Sequence, residues 1–172
     1  MNEELIQRAK RGDDDAFFEL MQLHKEKMYR IALSFLHSEQ DALEAMQETT
    51  YRAYKGLKRL KKNQFFTTWL IRIVMNYCTD ELRKRKRTTV QTDFVENSSV
   101  EPGFEHVELE ALIAQLDVKQ QQVIKLKYFH DLKIAEVADV MEVPEGTVKT
   151  WLHKALLQLR KQLEMKGEGR HA

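Results

Sequence analysis

The sequence predicts an all-α protein of two helical domains joined by a flexible linker, the second domain carrying a helix-turn-helix. Three observations carry this prediction. Apolar residues recur at three- and four-residue steps through most of the chain, with no sustained alternation of the kind a sheet requires. The composition, 42% hydrophobic and 32% charged with six Gly and two Pro, suits long amphipathic helices and argues against a turn-rich sandwich or barrel. One stretch, Thr88 to Gly103 (TTVQTDFVENSSVEPG), loses the periodicity and clusters Thr, Ser, Asn and acids around one of the prolines. A chain of 172 residues holds one medium or two small cores, which excludes a large catalytic barrel. The expected boundaries are a first domain at 1–87, an acidic linker at 88–104, a second domain at 105–166 and a disordered, fraying tail at 167–172.

The elements follow in order. A first helix is expected over about residues 2–11, stopped by Gly12. The next opens at Asp13, Asp14 and Asp15, whose carboxylates can accept from free backbone N–H groups and sit well at the positive helix end. Its apolar stripe is Ala16, Phe17, Leu20, Leu23, Met28, Ile31, Ala32 and Phe35. After a break near His37 and Ser38, a third helix runs from about Asp41 to Leu57, expected to bury Leu43, Met46, Thr50, Tyr54 and Leu57. A basic turn, Lys58 to Asn63, leads to a fourth helix from about Thr67 to Arg87. Beyond the linker the periodicity resumes from about Glu105, through Leu109, Leu112, Ile113 and Leu116, then Val123, Ile124, Leu126 and Phe129, then Ile134, Val137, Ala138 and Met141. The last helix carries the stripe Val148, Leu152, Ala155, Leu156, Leu159 and Leu163.

The net charge of +1 conceals a strong segregation. Residues 1–51 hold 6 Lys and Arg against 11 Asp and Glu, and residues 52–87 hold 12 against 2. Residues 88–110 hold none against 6, and residues 111–172 hold 10 against 8. One basic segment in a balanced chain points to a local polyanion contact, with acidic surface left for a protein partner; a solvated helix face is the plain alternative. The single cysteine, Cys78, allows no intramolecular disulfide and reads as a packed small hydrophobe. With no apolar leader at the start and no long apolar run, a soluble cytoplasmic protein without membrane insertion is expected.

Three segments carry candidate chemistry. In IAEVADVMEVPEGTVKTWLHKAL, Ala138 is the small residue at a helix crossing, Pro144 and Gly146 punctuate the turn, and Val148 and Leu152 anchor the second helix. Lys149, Thr150, His153 and Lys154 then face outward, donors suited to phosphates and base edges in a major groove, with Trp151 between the faces. Glu142 occupies the turn position where glycine is usual. In the fourth helix, Trp69, Leu70, Ile73, Val74 and Tyr77 form an apolar face, opposite Arg72, Asn76, Thr79 and Asp80, Arg83 and Arg87. Phe65 and Phe66, beside Lys61 and Lys62, can border a site for an unstacked base. In the third helix Asp41, Glu44, Gln47 and Glu48 form an exposed acidic and amide face, either a docking surface or simply wet. Enzyme motifs do not occur: there is no phosphate loop, HExxH, GxSxG or cysteine pair, and His24, His37, His106 and His130 have no partner at ligand spacing. No metal or cofactor is expected. A stand-alone helix-turn-helix repressor or activator is the competing reading.

Taken together and in this order, DAFFEL, DALEAMQETTYRAYKGL and FFTTWLIRIVMNYCTDELRKRKR, followed by the segment from Ala111 to Leu163, resemble the sigma-70 family of RNA polymerase sigma factors, specifically its extracytoplasmic-function (ECF) group. The resemblance implies a non-catalytic factor that binds core RNA polymerase through the β′ clamp and β flap and directs it to promoter DNA. It assigns Asp41, Glu44, Gln47, Glu48 and Tyr51 to the clamp contact. It assigns Asn76, Tyr77, Asp80, Arg83 and the loop from Lys61 to Thr67 to the opened −10 element, with Phe65, Phe66, Arg72 and Arg87 alongside. It assigns Pro144, Glu145, Gly146, Thr147, Lys149, Thr150, Trp151, His153 and Lys154 to the −35 duplex. An anti-sigma factor, often membrane-bound in this family, is implied as a further partner. Departures from the family pattern are Asp117 in place of a proline, Lys133 in place of Ser or Thr, and Glu142.

Overall fold

The computed structural model describes residues 2–89 and 104–169, so most of the predicted linker and the last three tail residues lie outside the described residues. All regular elements among the described residues are helical, and the chain divides into two compact units, residues 1–100 and 101–172.

The first unit contains α1 (Glu3–Lys10), α2 (Asp14–Leu36), α3 (Glu39–Gly56) and α4 (Phe66–Thr89), with single 3-10 turns at Leu57–Arg59 and Asn63–Phe65. Local chemistry sets the ends. Gly12 takes φ 99° after α1, a left-handed value that favours glycine. The Asp13 carboxylate then accepts from the Ala16 N–H at 2.9 Å, capping α2. His37 closes α2 in the left-handed region, and the Ser38 hydroxyl accepts from the Asp41 N–H at 3.3 Å. Because that cap lies at Ser38, α3 starts two residues before the predicted Asp41. The core joins Leu20, Met28, Ile31 and Ala32 of α2 to Leu70, Val74 and Cys78 of α4, all 2% exposed or less. Each large apolar side chain so buried contributes roughly 1.5–3 kcal/mol.

The predicted inward face of α3 is displaced by one position. Ala42, Ala45, Thr49 and Ala53 are fully buried, whereas Leu43 and Tyr54 are 53% and 55% exposed and Met46 and Thr50 are half-buried. Of the predicted set, Leu57 alone is buried. The physical reason is close helix approach: α3 packs on both α2 and α4, and a row of alanines fits where leucine or tyrosine would force the helices apart. Leu23 is likewise turned to solvent rather than joining the α2 stripe. Phe66 is 2% exposed and belongs to the core, which removes it from the surface pair predicted with Phe65.

The second unit contains α5 (Phe104–Ile113), α6 (Val118–Ile124) continued by one π turn (Lys125–Phe129), α7 (Ile134–Met141) and α8 (Glu145–Gly169). Asp117 caps α6, its carboxylate accepting from the Gln120 N–H at 2.9 Å, so the aspartate starts this helix by hydrogen bonding. At Lys133 the Glu136 carboxylate accepts from the Lys133 N–H at 2.8 Å, half of a reciprocal capping box. Leu112, Ile113, Leu116, Val123, Leu126, Val137, Val148 and Ala155 form the core. On α8 the predicted stripe is too wide: Leu156 and Leu163 are 42% and 51% exposed. The helix also continues to Gly169, past the tail start predicted at Gly167, and α4 runs two residues past the predicted Arg87.

Candidate nucleic-acid and partner interfaces

The helix-turn-helix is built by α7 and α8. Glu142 sits at φ 56°, ψ 42°, the left-handed residue of the turn, and the Val143 N–H donates to the Ala138 carbonyl at 3.1 Å to close it. Pro144 follows outside α7, its carbonyl accepting from the N–H groups of Thr147 and Val148 at 3.0 and 3.3 Å. Burial of Val148 and Ala155 then orients α8. Pro144, Glu145, Gly146, Lys149, Thr150, His153 and Lys154 are exposed, Thr147, Trp151 and Leu152 half-buried. The exposed Thr150 donates its hydroxyl to the Gly146 carbonyl at 2.9 Å. A Cβ at Gly146 would meet nothing within 4 Å, so internal packing does not demand glycine there and the first turn of α8 is open to a close approach. The residues predicted for a groove contact cluster at the N-terminal end of α8, with Lys149, Thr150, His153 and Lys154 on its exposed side and Thr147 and Trp151 half-buried at its edges.

In the first unit, α4 is core-facing through Phe66, Leu70, Ile71, Val74, Met75 and Cys78. On its other side Asn76, Asp80, Arg83 and Arg87 are exposed and Arg72 is half-buried. The structure adds Arg52 of α3 to this group. Its guanidinium lies 5.5 Å from the Tyr77 ring centroid while its Nε donates to the Glu48 carboxylate at 2.7 Å. Arg52, Tyr77, Asp80, Arg83, Lys84 and Arg87 line a cleft of about 190 Å³. Burial, reinforced by Glu81, Glu44 and Glu48, pushes the Tyr77 phenol up, so it stays neutral and a hydrogen-bond donor. Sequence reading missed Arg52 because it lies on the opposite side of the basic turn from α4. Trp69 packs over Gly56, where a Cβ would come 3.1 Å from its ring, and against Phe66. Its expected role as a packing residue stands. Lys61, Lys62 and Phe65 are exposed on the loop before α4, with the Lys62 ammonium 5.9 Å from the Phe65 ring.

On α3, Glu44, Gln47 and Tyr51 are exposed and Asp41 and Glu48 half-buried, all on the side away from the alanine row. The displacement of the buried face adds Leu43, which one turn before Gln47 and two before Tyr51 gives the acidic face an apolar component that sequence reading had assigned to the core. Apolar and acidic groups presented on one helix side suit a protein surface more than a nucleic acid. His24, which has no partner at ligand spacing in the sequence, lies with its Nδ1 2.9 Å from the Leu20 carbonyl and its Nε2 3.2 Å from the Thr67 hydroxyl. Among the described residues no helix is long and apolar enough to cross a membrane.

A helical unit with a basic helix beside an acidic helix face, and a second unit built on a helix-turn-helix, have the architecture of a DNA-binding protein. Residues 20–88 match Sigma-70 region 2 and residues 106–159 match Sigma-70, region 4. The ECF RNA polymerase sigma factor SigW of Bacillus subtilis is 32% identical over 176 residues, spanning 92% of this chain and 94% of SigW. RNA polymerase sigma factor SigV of the same organism is 30% identical, over 81% of this chain and 86% of SigV. Among solved structures, CnrH in complex with the cytosolic domain of CnrY superposes with a TM-score of 0.73 at 24% identity, over 94% of this chain and 96% of that one. The sigma factor RpoE of Bartonella quintana, in complex with the anti-sigma factor NepR, gives 0.70 at 20% identity over 86% and 96%. The chain belongs to the sigma-70 family, in its ECF group, and its function is promoter-directed initiation of transcription with RNA polymerase. The stand-alone repressor reading is not favoured.

Proposed function

We propose that this sigma factor divides its work among three surfaces. The α3 face of Asp41, Glu44, Gln47, Glu48 and Tyr51, joined by Leu43, docks on the polymerase clamp. The loop and helix carrying Lys61, Lys62, Phe65, Arg72, Asn76, Tyr77, Asp80, Arg83 and Arg87 hold the opened −10 strand. The exposed end of α8, Pro144 to Lys154, lies in the −35 major groove. The polymerase supplies all of the chemistry and this chain acts only by recognition. Two modest DNA contacts on one chain gain selectivity through effective concentration, so the free protein forms little stable promoter complex. The observation that carries the reading is the split on α8, where Val148 and Ala155 are fully buried while Lys149, Thr150, His153 and Lys154 stand exposed on the opposite side. Because the solved neighbours CnrH and RpoE are held by CnrY and NepR, an anti-sigma partner of the same class is part of the proposal. The working place is the cytoplasm, where the polymerase is.

The test is co-purification with bacterial core RNA polymerase, followed by run-off transcription from a genomic fragment library with sequencing of the starts. Stoichiometric capture and starts sharing −35 and −10 motifs are expected. The double variant Lys149→Ala with Lys154→Ala should lose −35-dependent initiation, and Asp41→Arg with Glu48→Arg should lose capture. Tight operator binding by the free protein, without capture, would return the repressor reading.

A further inference from the structure

The loop that carries Lys61, Lys62 and Phe65 is anchored from the far end of the unit's sequence. Lys10, in the last turn of α1, donates from its ammonium to the Leu60 carbonyl at 2.6 Å and to the Asn63 side-chain oxygen at 3.1 Å. Leu60 ends one 3-10 turn and Asn63 begins the next. The backbone bonds here, Leu60 N–H to the Leu57 carbonyl at 3.1 Å and Phe65 N–H to the Lys62 carbonyl at 3.2 Å, close each turn upon itself. Lys10 ties the two turns to each other and to α1. Between its two acceptors lie Lys61 and Lys62, both exposed. Beside this contact an open cavity of about 620 Å³ is lined by Gln7 of α1, by Lys61 and Lys62 of the loop, and by His24, Phe66 and Thr67 among others.

We infer that Lys10 is a positioning residue for the −10 contact: its ammonium fixes the Leu60–Phe65 loop before DNA arrives, so that Lys61, Lys62 and Phe65 are presented to the opened strand already ordered. This rests on the −10 reading proposed above. Charge-assisted hydrogen bonds are the strong class, and a part-buried ammonium bridging two acceptors spares DNA binding the cost of ordering the loop. Lys10 carried no signal in the sequence, where it is one more cation at a helix end.

The experiment compares wild type, Lys10→Met and Lys10→Arg as full chains. Hydrogen exchange of the Leu60–Phe65 amides is followed in the free protein, and the affinity of each holoenzyme for a single-stranded −10 oligonucleotide is measured against a scrambled one. Lys10→Met should speed exchange in the loop, lower −10 affinity about tenfold, the scale of one charge-assisted hydrogen bond, and blunt the discrimination, with polymerase capture retained. Lys10→Arg should restore most of both. Unchanged exchange overturns the inference; if affinity falls with exchange unchanged, Lys10 touches DNA directly instead of positioning the loop. Loss of polymerase capture in Lys10→Met overturns it too, as a general structural defect. If the wild-type holoenzyme itself fails to discriminate −10 sequences, the −10 reading fails, while the exchange comparison still decides whether Lys10 orders the loop.

Discussion

Asp41 on α3 and Arg85 on α4 form an ion pair, Oδ2 to Nη2 at 2.9 Å, so the first carboxylate of the candidate docking face is held by a cation of the basic helix end. If the docking proposal holds, a partner engaging Asp41 frees Arg85 for a phosphate, and the two binding events are expected to be coupled. Asp41→Asn should raise the affinity of the free protein for single-stranded DNA at low salt about two- to fivefold, the scale of one surface pair. Adding Arg85→Ala should abolish the gain, and Glu39→Gln, which removes the same charge from the same helix turn, should give less. An equal gain from Glu39→Gln in fluorescence-anisotropy titrations would reduce the effect to net charge.

Phe65 and Phe66 are adjacent, yet one is 37% exposed and the other 2%. Phe66→Ala should lower stability by about 3–5 kcal/mol in denaturant melts, the usual cost of emptying a buried phenylalanine site. Phe65→Ala should leave the melt nearly unchanged while reducing promoter opening, seen as weaker permanganate reactivity of −10 thymines. Comparable melts for the two variants would contradict the burial.

Glu142 takes a backbone conformation that disfavours residues with a Cβ. Glu142→Gly should stabilise the second unit by up to about 1 kcal/mol, since the relief of the left-handed penalty outweighs the added freedom of the unfolded chain. Glu142→Ala should give no such gain. Denaturant midpoints for the two variants settle the sign.

The Asp13 carboxyl is held below its usual range, first by the Ala16 N–H and then by Arg8, whose guanidinium lies 2.7 Å away. A carboxyl lowered in the folded state contributes stability that is complete above its unfolded pKa and is lost as pH falls through the folded one. Thermal midpoints of wild type should therefore exceed those of Asp13→Asn at neutral pH, with the gap closing as the solution is acidified below the ordinary carboxylate range. A gap independent of pH would assign the effect to the cap geometry alone.

The helix-turn-helix was legible because its signals are local: Pro144 and Gly146 at the turn, the small Ala138 at the crossing, and Val148 and Leu152 one turn apart. The cap at Asp13 was legible for the same reason, whereas Ser38 was read only as part of a break and its cap starts α3 two residues early. The inward face of α3 was not, because ranking by hydrophobicity sends Leu43 and Tyr54 inside, and only the distance between packed helices reveals that Ala42, Ala45 and Ala53 belong there. Leu156 was misplaced for a related reason, since a wide apolar stripe does not say which edge is covered, and Phe66 was grouped with Phe65 by adjacency although neighbouring helical positions point in different directions. Lys10 and Arg52 join elements separated in sequence, and no periodicity reports such a meeting.

The last buried residue of α4 is Cys78, yet the helix continues to Thr89 through Arg83, Lys84, Arg85, Lys86 and Arg87. These final turns rest on no core; the C-terminal dipole favours their cations and the i,i+4 repulsion of Arg83 with Arg87 opposes it. What holds them is charge: Lys84 pairs with Glu81 and Arg85 with Asp41, so the end of α4 is secured by the same cations that a phosphate chain would draw away.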